Sequence, residues 1–472
     1  MDGITDVVHS VANPVPPPAL MQFMASGWLD TPPRAIELNP QVARLRSRRE
    51  VLSRAFPGQY LVIDSGKEQV RSGGSPCRFR PSSNFVYLAG QSDPGAVLVL
   101  EPDGGAHHTR LFVPEYSRDK SEIFRKGRYN SELWVGERRS VAESQSYYGV
   151  DVCEPLGRLT PYLESLRGRG CSVRMTGENV SLPEDFEVDP GLTIYLSEMR
   201  LIKDEYEHSE LRKGAEITKR AFEDAIRALR HAKTESAIEA AFEARARAEG
   251  NGVGWIPCVA AGKHAWALNW TRNDGAVSSD DLLLLDACVE SHSFYTTDVA
   301  RTLPISGKFS AEQRVVYEIV HDALRAALGS VRPGNAYGEP HMRAMRVLSE
   351  GLIELGVLRC SLDEALDPKN QYYRRYTMHH VSHMVGIDVV DCADAPAESY
   401  ARLREGMIIA VEPGLYLQSD DATVPERFRG IGIRLEDNVA VTADGFDNYS
   451  GILPIHPDKV EGWIAACQDA RE

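Results

Sequence analysis

The chain has 472 residues, of which 43% are hydrophobic and 26% are charged, a balance that predicts a globular protein of two or three domains. Its formal net charge of −15 at pH 7 argues against nucleic acid or an anionic membrane as the main partner, because both would repel it. Without a secretory signal, a long apolar stretch or a Cys-x-x-Cys spacing among its eight cysteines, it is expected to be cytoplasmic, with reduced thiols.

The first half of the chain predicts an arm followed by a small domain. Residues 1–36 are rich in proline and lack periodicity, which predicts an irregular N-terminal arm. Residues 37–190 mix short apolar runs with helical periodicity, which predicts an α/β domain with one sheet and helical cover. After a helix near residues 41–52, strands are expected at Tyr60–Ile63, Phe85–Ala89, Ala96–Leu100 and Leu111–Val113.

The second half, residues 191–472, begins after an acidic stretch that ends in a Pro-Gly turn signal. Helices are expected from Lys203, over about residues 235–249, after a capping box at Ser310, and over about residues 337–355. Apolar runs predict strands at Leu282–Asp286, Phe294–Thr302, Met407–Glu412 and Arg434–Thr442.

Two aspartates are the first unusual feature of this half. Asp286 ends a run of four leucines, and Asp298 lies in the next predicted strand. Aspartate is a poor strand former, so a pair beside a core strand needs a reason. Exposure at a sheet edge would explain the pair equally well if nothing else followed.

Further polar residues follow in distinctive contexts. Glu412 comes directly after an apolar strand and before a Pro-Gly turn. Glu436 alternates with Arg434 along another strand, so both are expected on one face. His379 and His383 stand four residues apart shortly before a glycine. Together with the two aspartates, these residues predict one polar site.

Four carboxylates in one pocket would repel one another, and burial would raise the cost. They coexist if some are protonated or if cations lie among them. Two divalent ions would balance the charge, and carboxylates with one imidazole favour Mn²⁺, with Co²⁺, Fe²⁺ or Zn²⁺ as alternatives. Such a pair of metals generates hydroxide at neutral pH and stabilises an oxyanion, which predicts amide hydrolysis.

At these residues the sequence resembles the pita-bread metallopeptidases, most closely the aminopeptidase P (Xaa-Pro aminopeptidase) family. The resemblance covers nearly everything after residue 36. It implies an α+β fold in which a C-terminal pita-bread domain follows a smaller α/β (creatinase-type) N-terminal domain. The family's metal ligands fall on Asp286, Asp298, His383, Glu412 and Glu436, and similar runs occur at Asn84–Gly90, Glu132–Gly136, Glu198–Lys203, Arg301–Gly307 and Gly430–Glu436.

The resemblance also implies a mechanism, in which a metal-bridging hydroxide attacks the amide bond before proline. Asp286 would bind one metal, His383 and Glu412 the other, and Asp298 and Glu436 both. Glu412 would also be the general base, and His379 would hydrogen-bond the carbonyl oxygen or the tetrahedral intermediate. Arg434 and Tyr416 would either line the pocket or support the residues that do, and Arg200 would contact the substrate or a second subunit. A small peptide or amide would be the substrate of a homodimer or homotetramer.

The chain departs from the family inside this site. Asn269 and Val390 stand where the family has pocket histidines, and neither side chain exchanges a proton near neutral pH. Smaller departures are Cys288, Ala300 and His380. Since all five ligands remain, we expect metal binding to be kept and Xaa-Pro cleavage to be reduced or altered. A metalloenzyme repurposed for a non-peptide or biosynthetic intermediate, and a non-catalytic homologue, are the alternatives.

Overall fold

The computed structural model describes residues 16–29, 38–116, 120–121, 132–176 and 188–469. The chain divides into two compact units, Met1–Thr193 and Ile194–Glu472. The predicted boundary after residue 190 differs from this division by three residues and falls at the start of a helix, Pro190–Arg200. Within the described part of the chain, no helix has both the length and the apolar character needed to cross a bilayer.

The first unit contains short helices and strands, and the helix Pro190–Arg200 runs from it into the second unit. The helices are α1 (Pro18–Ala25), α2 (Val42–Ala55), α3 (Ser83–Ala89), α4 (Glu132–Val135), α5 (Val141–Tyr148), α6 (Leu159–Gly168) and α7 (Pro190–Arg200). The strands are β1 (Tyr60–Asp64), β2 (Val70–Ser72), β3 (Ser75–Pro76), β4 (Val97–Asp103), β5 (Ala106–Val113), β6 (Val152–Pro155) and β7 (Val173–Thr176).

A five-stranded sheet of order β6-β5-β4-β1-β7 forms the centre of this unit. β4 pairs antiparallel with β1 and β5, whereas the outer strands β6 and β7 run parallel to their neighbours. Val62, Val99 and Phe112 from the sheet pack with Leu163 from α6 in a buried core. The predicted α/β character of this part is therefore seen as one sheet with helical cover.

Two predictions in this unit were wrong. The run Phe85–Ala89 was expected to be a strand but lies in α3, where the Ser82 hydroxyl accepts a hydrogen bond from the Phe85 amide as an N-cap. A short buried apolar run does not distinguish strand from helix by its pattern. Within the arm expected to be irregular, Pro18–Ala25 forms α1, because Ala, Leu, Met and Gln favour helix and proline is tolerated in its first turn. The remainder of the arm, residues 1–15 and 30–36, lies outside the described residues.

The second unit is larger. Its helices are α8 (Glu205–Ala228), α9 (Glu235–Glu249), α10 (Ala311–Leu328), α11 (Glu339–Glu354), α12 (Leu362–Leu366) and α13 (Pro457–Asp469). Its strands are β8 (Cys258–Ala261), β9 (Leu282–Ala287), β10 (Val299–Pro304), β11 (Ser382–Met384), β12 (Ile408–Val411), β13 (Gly414–Tyr416), β14 (Gly432–Arg434), β15 (Asp437–Val441) and β16 (Phe446–Asn448).

The strands of the second unit form three sheets, of order β10-β9-β8, β11-β12-β15-β16 and β13-β14. Every residue of β9 and β10 is buried, which explains why the leucines of β9 form an unbroken apolar run. The four predicted helices are present as α8 to α11, and the capping boxes at Asp204 and Ser310 mark the starts of α8 and α10.

Two predicted strands are shorter than expected. The segment from Phe294 becomes a strand only at Val299, because Phe294 adopts a positive φ of 70° in a turn. The segment from Arg434 is two strands, β14 and β15, interrupted at Leu435 and Glu436. At this break the Glu436 amide donates to the carbonyl oxygen of Ala300 in β10 at 3.0 Å. Glu436 therefore lies where two sheets meet.

Candidate metal centre and active site

A pocket of about 250 Å³ in the second unit collects most of the predicted site residues. The lining residues with charged or titratable side chains are Asp286, Asp298, His379, His383, Glu412, Arg434 and Glu436. The neutral lining residues are Trp255, Leu268, Asn269, Val389 and Val390.

Strand register brings the acidic residues together. Asp286 pairs with Ala300 across β9 and β10, so Asp298, two residues earlier, is on the same side of that sheet. Val411 pairs with Asp437 across β12 and β15, and Glu412 and Glu436 are the residues next to that pair. Both glutamates therefore lie at the same end of this pair of strands.

Arg301 fixes the backbone that carries Glu436. Its side chain is fully buried, and Nη1 donates to the Glu436 carbonyl oxygen at 2.6 Å while Nη2 donates to the Asp437 carboxylate at 2.8 Å. On the other side of the centre, the Asp298 amide donates to the Asn438 side-chain oxygen at 2.7 Å. These contacts orient the two carboxylates before any ligand binds.

Asp298, His383 and Glu436 form the tightest cluster, with one ligand atom from each lying within 4.8 Å of the others. His383 Nε2 lies 3.3 Å from Asp298 Oδ2 and 3.7 Å from Glu412 Oε1. His383 Nδ1 lies 3.1 Å from the Met384 carbonyl oxygen, to which it donates if protonated. That bond leaves Nε2 as the nitrogen directed at the carboxylates.

The acidic residues meet the chemical requirements of a divalent cation site. Asp286 Oδ1, Asp298 Oδ1 and Glu436 Oε1 are buried without a hydrogen-bond partner among the described residues. Orphaned buried carboxylate oxygens are costly unless a cation compensates them. These three carboxylates, with the Glu412 carboxylate and the His383 imidazole, match the ligand preference of hard or borderline divalent metals. The residues present therefore fit a metal centre.

Burial and mutual repulsion raise the pKa values of three carboxyl groups in the pocket, those of Asp286, Glu412 and Glu436. Burial raises the pKa of Asp286 to about 6 and that of Glu412 to about 7, and burial with the charge of Asp298 raises the pKa of Glu436 well above its usual value. Burial opposes the charge of His383, but its hydrogen bond with Asp298 raises its pKa to about 9. A metal would have to displace the protons that these groups hold.

Arg434, Tyr416 and His379 form a chain of hydrogen bonds beside the carboxylates. Arg434 Nη2 donates to the Asp286 carboxylate, and Nη1 donates to the Tyr416 hydroxyl at 2.9 Å. His379 Nε2 lies 3.0 Å from that hydroxyl. Burial and the nearby Arg434 charge lower the pKa of His379 to about 4, so its imidazole is neutral at neutral pH. Tyr416 lies behind the pocket surface and is buried.

Arg200, like Tyr416, is a predicted site residue that lies outside the pocket lining. It is 4% exposed, and its Nε donates to Asp391 at 3.0 Å. The predicted contact of Arg200 with the substrate or a second subunit stays a prediction. Through its hydrogen bond to Asp391, Arg200 holds the segment that carries Val389 and Val390.

Both departures from the family's histidines lie in the pocket. Asn269 and Val390 line it, and Val390 is 52% exposed. Cys288 and Ala300 are fully buried in the surrounding core, and burial raises the pKa of the Cys288 thiol well above its usual value. His380 is exposed and its ring centroid lies 5.0 Å from that of His341.

Sequence reasoning did not identify Trp255, Leu268 and Val389 as lining residues. Leu268 and Val389 stand next to Asn269 and Val390, so adjacency was the available signal. Trp255 lies in the Gly-rich segment before β8, where no periodic pattern indicates which side chains face a pocket.

Comparisons with known proteins give one consistent result. Residues 209–443 match metallopeptidase family M24, and residues 45–173 match the aminopeptidase P N-terminal domain. The chain is 45% identical over 460 residues to Xaa-Pro aminopeptidase 1 of Streptomyces coelicolor, covering 95% of this chain and 92% of the relative. It is 30% identical over 447 residues to Xaa-Pro aminopeptidase of Escherichia coli, covering 90% and 97%. Aminopeptidase P from E. coli with the inhibitor Pro-Leu has a TM-score of 0.82 at 28% identity, covering 92% of this chain and all of that one.

Proposed function

Because the chain belongs to the aminopeptidase P group of metallopeptidase family M24, we propose that it removes the N-terminal residue of peptides whose second residue is proline. The predicted α+β class is confirmed, with a C-terminal pita-bread domain preceded by a smaller creatinase-type α/β domain. The chain is a metal-dependent peptidase of Xaa-Pro aminopeptidase type.

The observation that carries the proposal is the convergence of five candidate ligands in one pocket. Asp286, Asp298, His383, Glu412 and Glu436 all line it, and three of the carboxylate oxygens lack a partner among the described residues. We propose all five as metal ligands, with Mn²⁺ as the preferred ion and Co²⁺, Fe²⁺ or Zn²⁺ as alternatives. When bound, two such ions supply a nucleophile at neutral pH and stabilise negative charge on the substrate oxygen.

The protein's own residues manage protons and orientation. The Glu412 carboxylate, with a pKa raised by burial to about 7, accepts the proton of the attacking water and returns it to the leaving proline nitrogen. His379 lies 3.6 Å from Glu412 and is neutral, so it adds no charge beside that carboxylate. Arg434 holds Asp286 and Tyr416 in place through its two terminal nitrogens.

Asn269 and Val390 support a second proposal, which concerns the rate and specificity of cleavage. General acid–base catalysis contributes about 10²–10⁴-fold, and these two residues provide none near neutral pH. We therefore propose reduced or altered Xaa-Pro cleavage. The same two residues favour the second candidate, a metal hydrolase acting on a non-peptide amide. Glu412 and His379, both lining the pocket, argue against a non-catalytic homologue.

We further propose a cytoplasmic homodimer or homotetramer. All eight cysteines are free thiols, which fits a reducing compartment. The assembly follows from the resemblance to the aminopeptidase P family. The net charge of −15 supports a small-molecule substrate over a nucleic acid or membrane partner.

Steady-state kinetics on an Xaa-Pro-Xaa tripeptide with added Mn²⁺ test the proposal. The wild type is expected to cleave it slowly, the Asn269→His, Val390→His double variant faster, and Glu412→Gln not at all. A wild-type kcat in the ordinary range of about 1–10³ s⁻¹ would refute the altered pocket while supporting the peptidase. Absence of cleavage by both wild type and double variant would refute Xaa-Pro cleavage and favour the second candidate.

A further inference from the structure

The neutral part of the pocket lining forms a surface distinct from the carboxylates, and hydrogen bonds of its own hold it in place. We call Trp255, Leu268, Asn269, Val389 and Val390 the neutral wall. Four of these side chains are mainly apolar and the fifth is an uncharged amide. Leu268 and Asn269 lie on the segment between β8 and β9, and Val389 and Val390 lie on the segment after β11.

A buried carboxylate outside the pocket holds the first of these segments. Glu235, at the start of α9, is 0% exposed. Its Oε1 accepts from the Ala261 amide and lies near His264 Nδ1, both at 2.8 Å. Its Oε2 accepts from Trp270 Nε1 at 2.8 Å and from the Gly275 amide at 2.7 Å. These contacts flank Leu268 and Asn269 on both sides along the chain.

The same segment is also held from the catalytic side. Arg434 Nη1 donates to the Leu268 carbonyl oxygen at 3.1 Å, and the His264 ring stacks on Trp270 with centroids 3.9 Å apart. The fully satisfied Glu235 carboxylate is therefore the centre of a fixed loop, since each of its oxygens has two partners.

A second buried carboxylate, Asp391, holds the other segment. Asp391 accepts from Arg200 and from Lys203 at 3.0 Å each, and its amide donates to the Met384 carbonyl oxygen at 2.8 Å. Lys203 is 4% exposed and Asp391 is 3% exposed. A Cβ placed on Gly386 would lie 2.1 Å from the Asp391 carboxylate, so the loop closes tightly around this ion pair. Val390 directly precedes Asp391 in the chain.

Because its two segments are fixed, the neutral wall binds apolar and polar side chains of a ligand differently. An apolar side chain placed against Leu268 and Val390 gains free energy in proportion to the apolar area that is removed from water. A charged or amide side chain in the same place loses hydration and finds at most the Asn269 amide as a partner. Because the wall is already ordered before the ligand binds, little conformational entropy is lost on binding.

We propose that the neutral wall selects peptides with apolar residues beside the proline, and that Glu235 and Asp391 are the positioning residues that maintain this selectivity. The inference rests on the proposed Xaa-Pro specificity and adds the substrate class. It also assigns Arg200 a part in holding the wall, through its hydrogen bond to Asp391.

Substrate selectivity is tested with Leu-Pro-Leu and the two peptides in which one leucine is replaced by glutamine, a polar side chain of similar size. At least one replacement is expected to lower kcat/KM by about tenfold or more. Changes smaller than about threefold at both positions would overturn the inference while leaving Xaa-Pro cleavage intact. Binding of Pro-Leu and Pro-Gln to the metal-loaded enzyme, measured by calorimetry, does not depend on turnover. If no peptide is cleaved, tighter binding of Pro-Leu would still support the wall's selectivity, and equal binding would overturn it.

The positioning role is tested with Glu235→Gln and Asp391→Asn. Each variant is expected to raise the KM for Leu-Pro-Leu and to reduce the leucine-to-glutamine discrimination at least threefold, with kcat and metal content close to wild type. Asp421→Asn is the matched control, since Asp421 also accepts from an arginine, Arg375, but lies in the segment 413–433, which carries no lining residue of the pocket. Unchanged KM and discrimination in both variants would overturn the role. If Glu235→Gln does not fold, His264→Ala and Trp270→Phe each remove one Glu235 partner and carry the same expectation.

Discussion

The imidazole of His379 and the hydroxyl of Tyr416 form one hydrogen bond, with Nε2 and the oxygen 3.0 Å apart. The same hydroxyl accepts from Arg434 Nη1 at 2.9 Å, so its proton is available for His379. His379 Nδ1 lies 2.9 Å from the His380 carbonyl oxygen, which accepts a hydrogen bond from that nitrogen. This arrangement fixes a neutral His379 with the proton on Nδ1, consistent with its pKa of about 4.

Replacing Tyr416 with phenylalanine removes the donor to His379 Nε2. The imidazole then has no fixed orientation at this nitrogen, and kcat on an Xaa-Pro peptide is expected to fall about tenfold or more. The measurement is kcat and KM with metal content determined in parallel. Tyr317→Phe is the control, because the hydroxyl of this buried tyrosine donates to the Ile455 carbonyl oxygen and makes no contact with His379. Equal kcat values for the two variants would contradict the role of the His379 contact.

The stability of the metal-free protein is expected to fall as pH rises. Asp286 and Glu412 have folded pKa values of about 6 and 7, above the unfolded values near about 4. A raised pKa stabilises the folded state below the unfolded pKa, and this stabilisation is lost as pH rises through the folded pKa. His383, raised to about 9, contributes in the same direction at higher pH.

Metal binding should compensate for this loss, so the increase in Tm on adding Mn²⁺ should be larger at about pH 8 than at about pH 5.5. Thermal unfolding with and without metal at both pH values measures it. Glu412→Gln removes one titrating group and should flatten the pH dependence of the metal-free protein. If the Tm of the metal-free wild type is higher at the higher pH, and that of the variant is not, the raised pKa of Glu412 is contradicted.

Arg301→Lys is expected to weaken metal binding although Arg301 touches no metal. A lysine keeps the charge but loses the fork that holds the Glu436 carbonyl and the Asp437 carboxylate together. Loss of such orienting contacts typically lowers metal affinity about 10–100-fold. Arg314→Lys, in a partly exposed ion pair on α10, makes the same change away from the site. Titration with Mn²⁺ should separate the two variants, and equal affinities would refute the positioning role.

Gly432→Ala is expected to destabilise the second unit. A Cβ at this position would lie 2.0 Å from the Ala265 carbonyl oxygen, so β14 or the loop that carries Leu268 and Asn269 must move. Overpacking of this kind costs about 1–3 kcal/mol, which a lower Tm would report. Gly445→Ala is the control, because a Cβ there would meet no atom within 4 Å. Similar Tm values for both variants would show that the loop moves without cost.

The sequence predicted the acidic residues of the candidate site because they stand in or beside recognisable apolar strands. Asp286 follows the leucines of β9 and Glu412 follows β12, so the apolar runs that predict these strands also located the two carboxylates. Glu235 gave no such signal. Its partners are two backbone amides, a histidine and a tryptophan between 26 and 40 residues away, and only the folded loop brings them together. Arg200 was placed by resemblance, and its ion pair with Asp391 depends on packing that a linear pattern does not contain.

Metal stoichiometry tests the central claim most directly. The chain is purified without chelators, saturated with Mn²⁺, freed of unbound metal, and analysed for metal per protein beside an Asp298→Asn, Glu436→Gln variant. The account predicts two divalent ions per wild-type chain, loss of both in the variant, and Xaa-Pro cleavage that rises with metal content. A wild-type chain that retains no metal, or that cleaves the peptide equally well without it, would contradict the account.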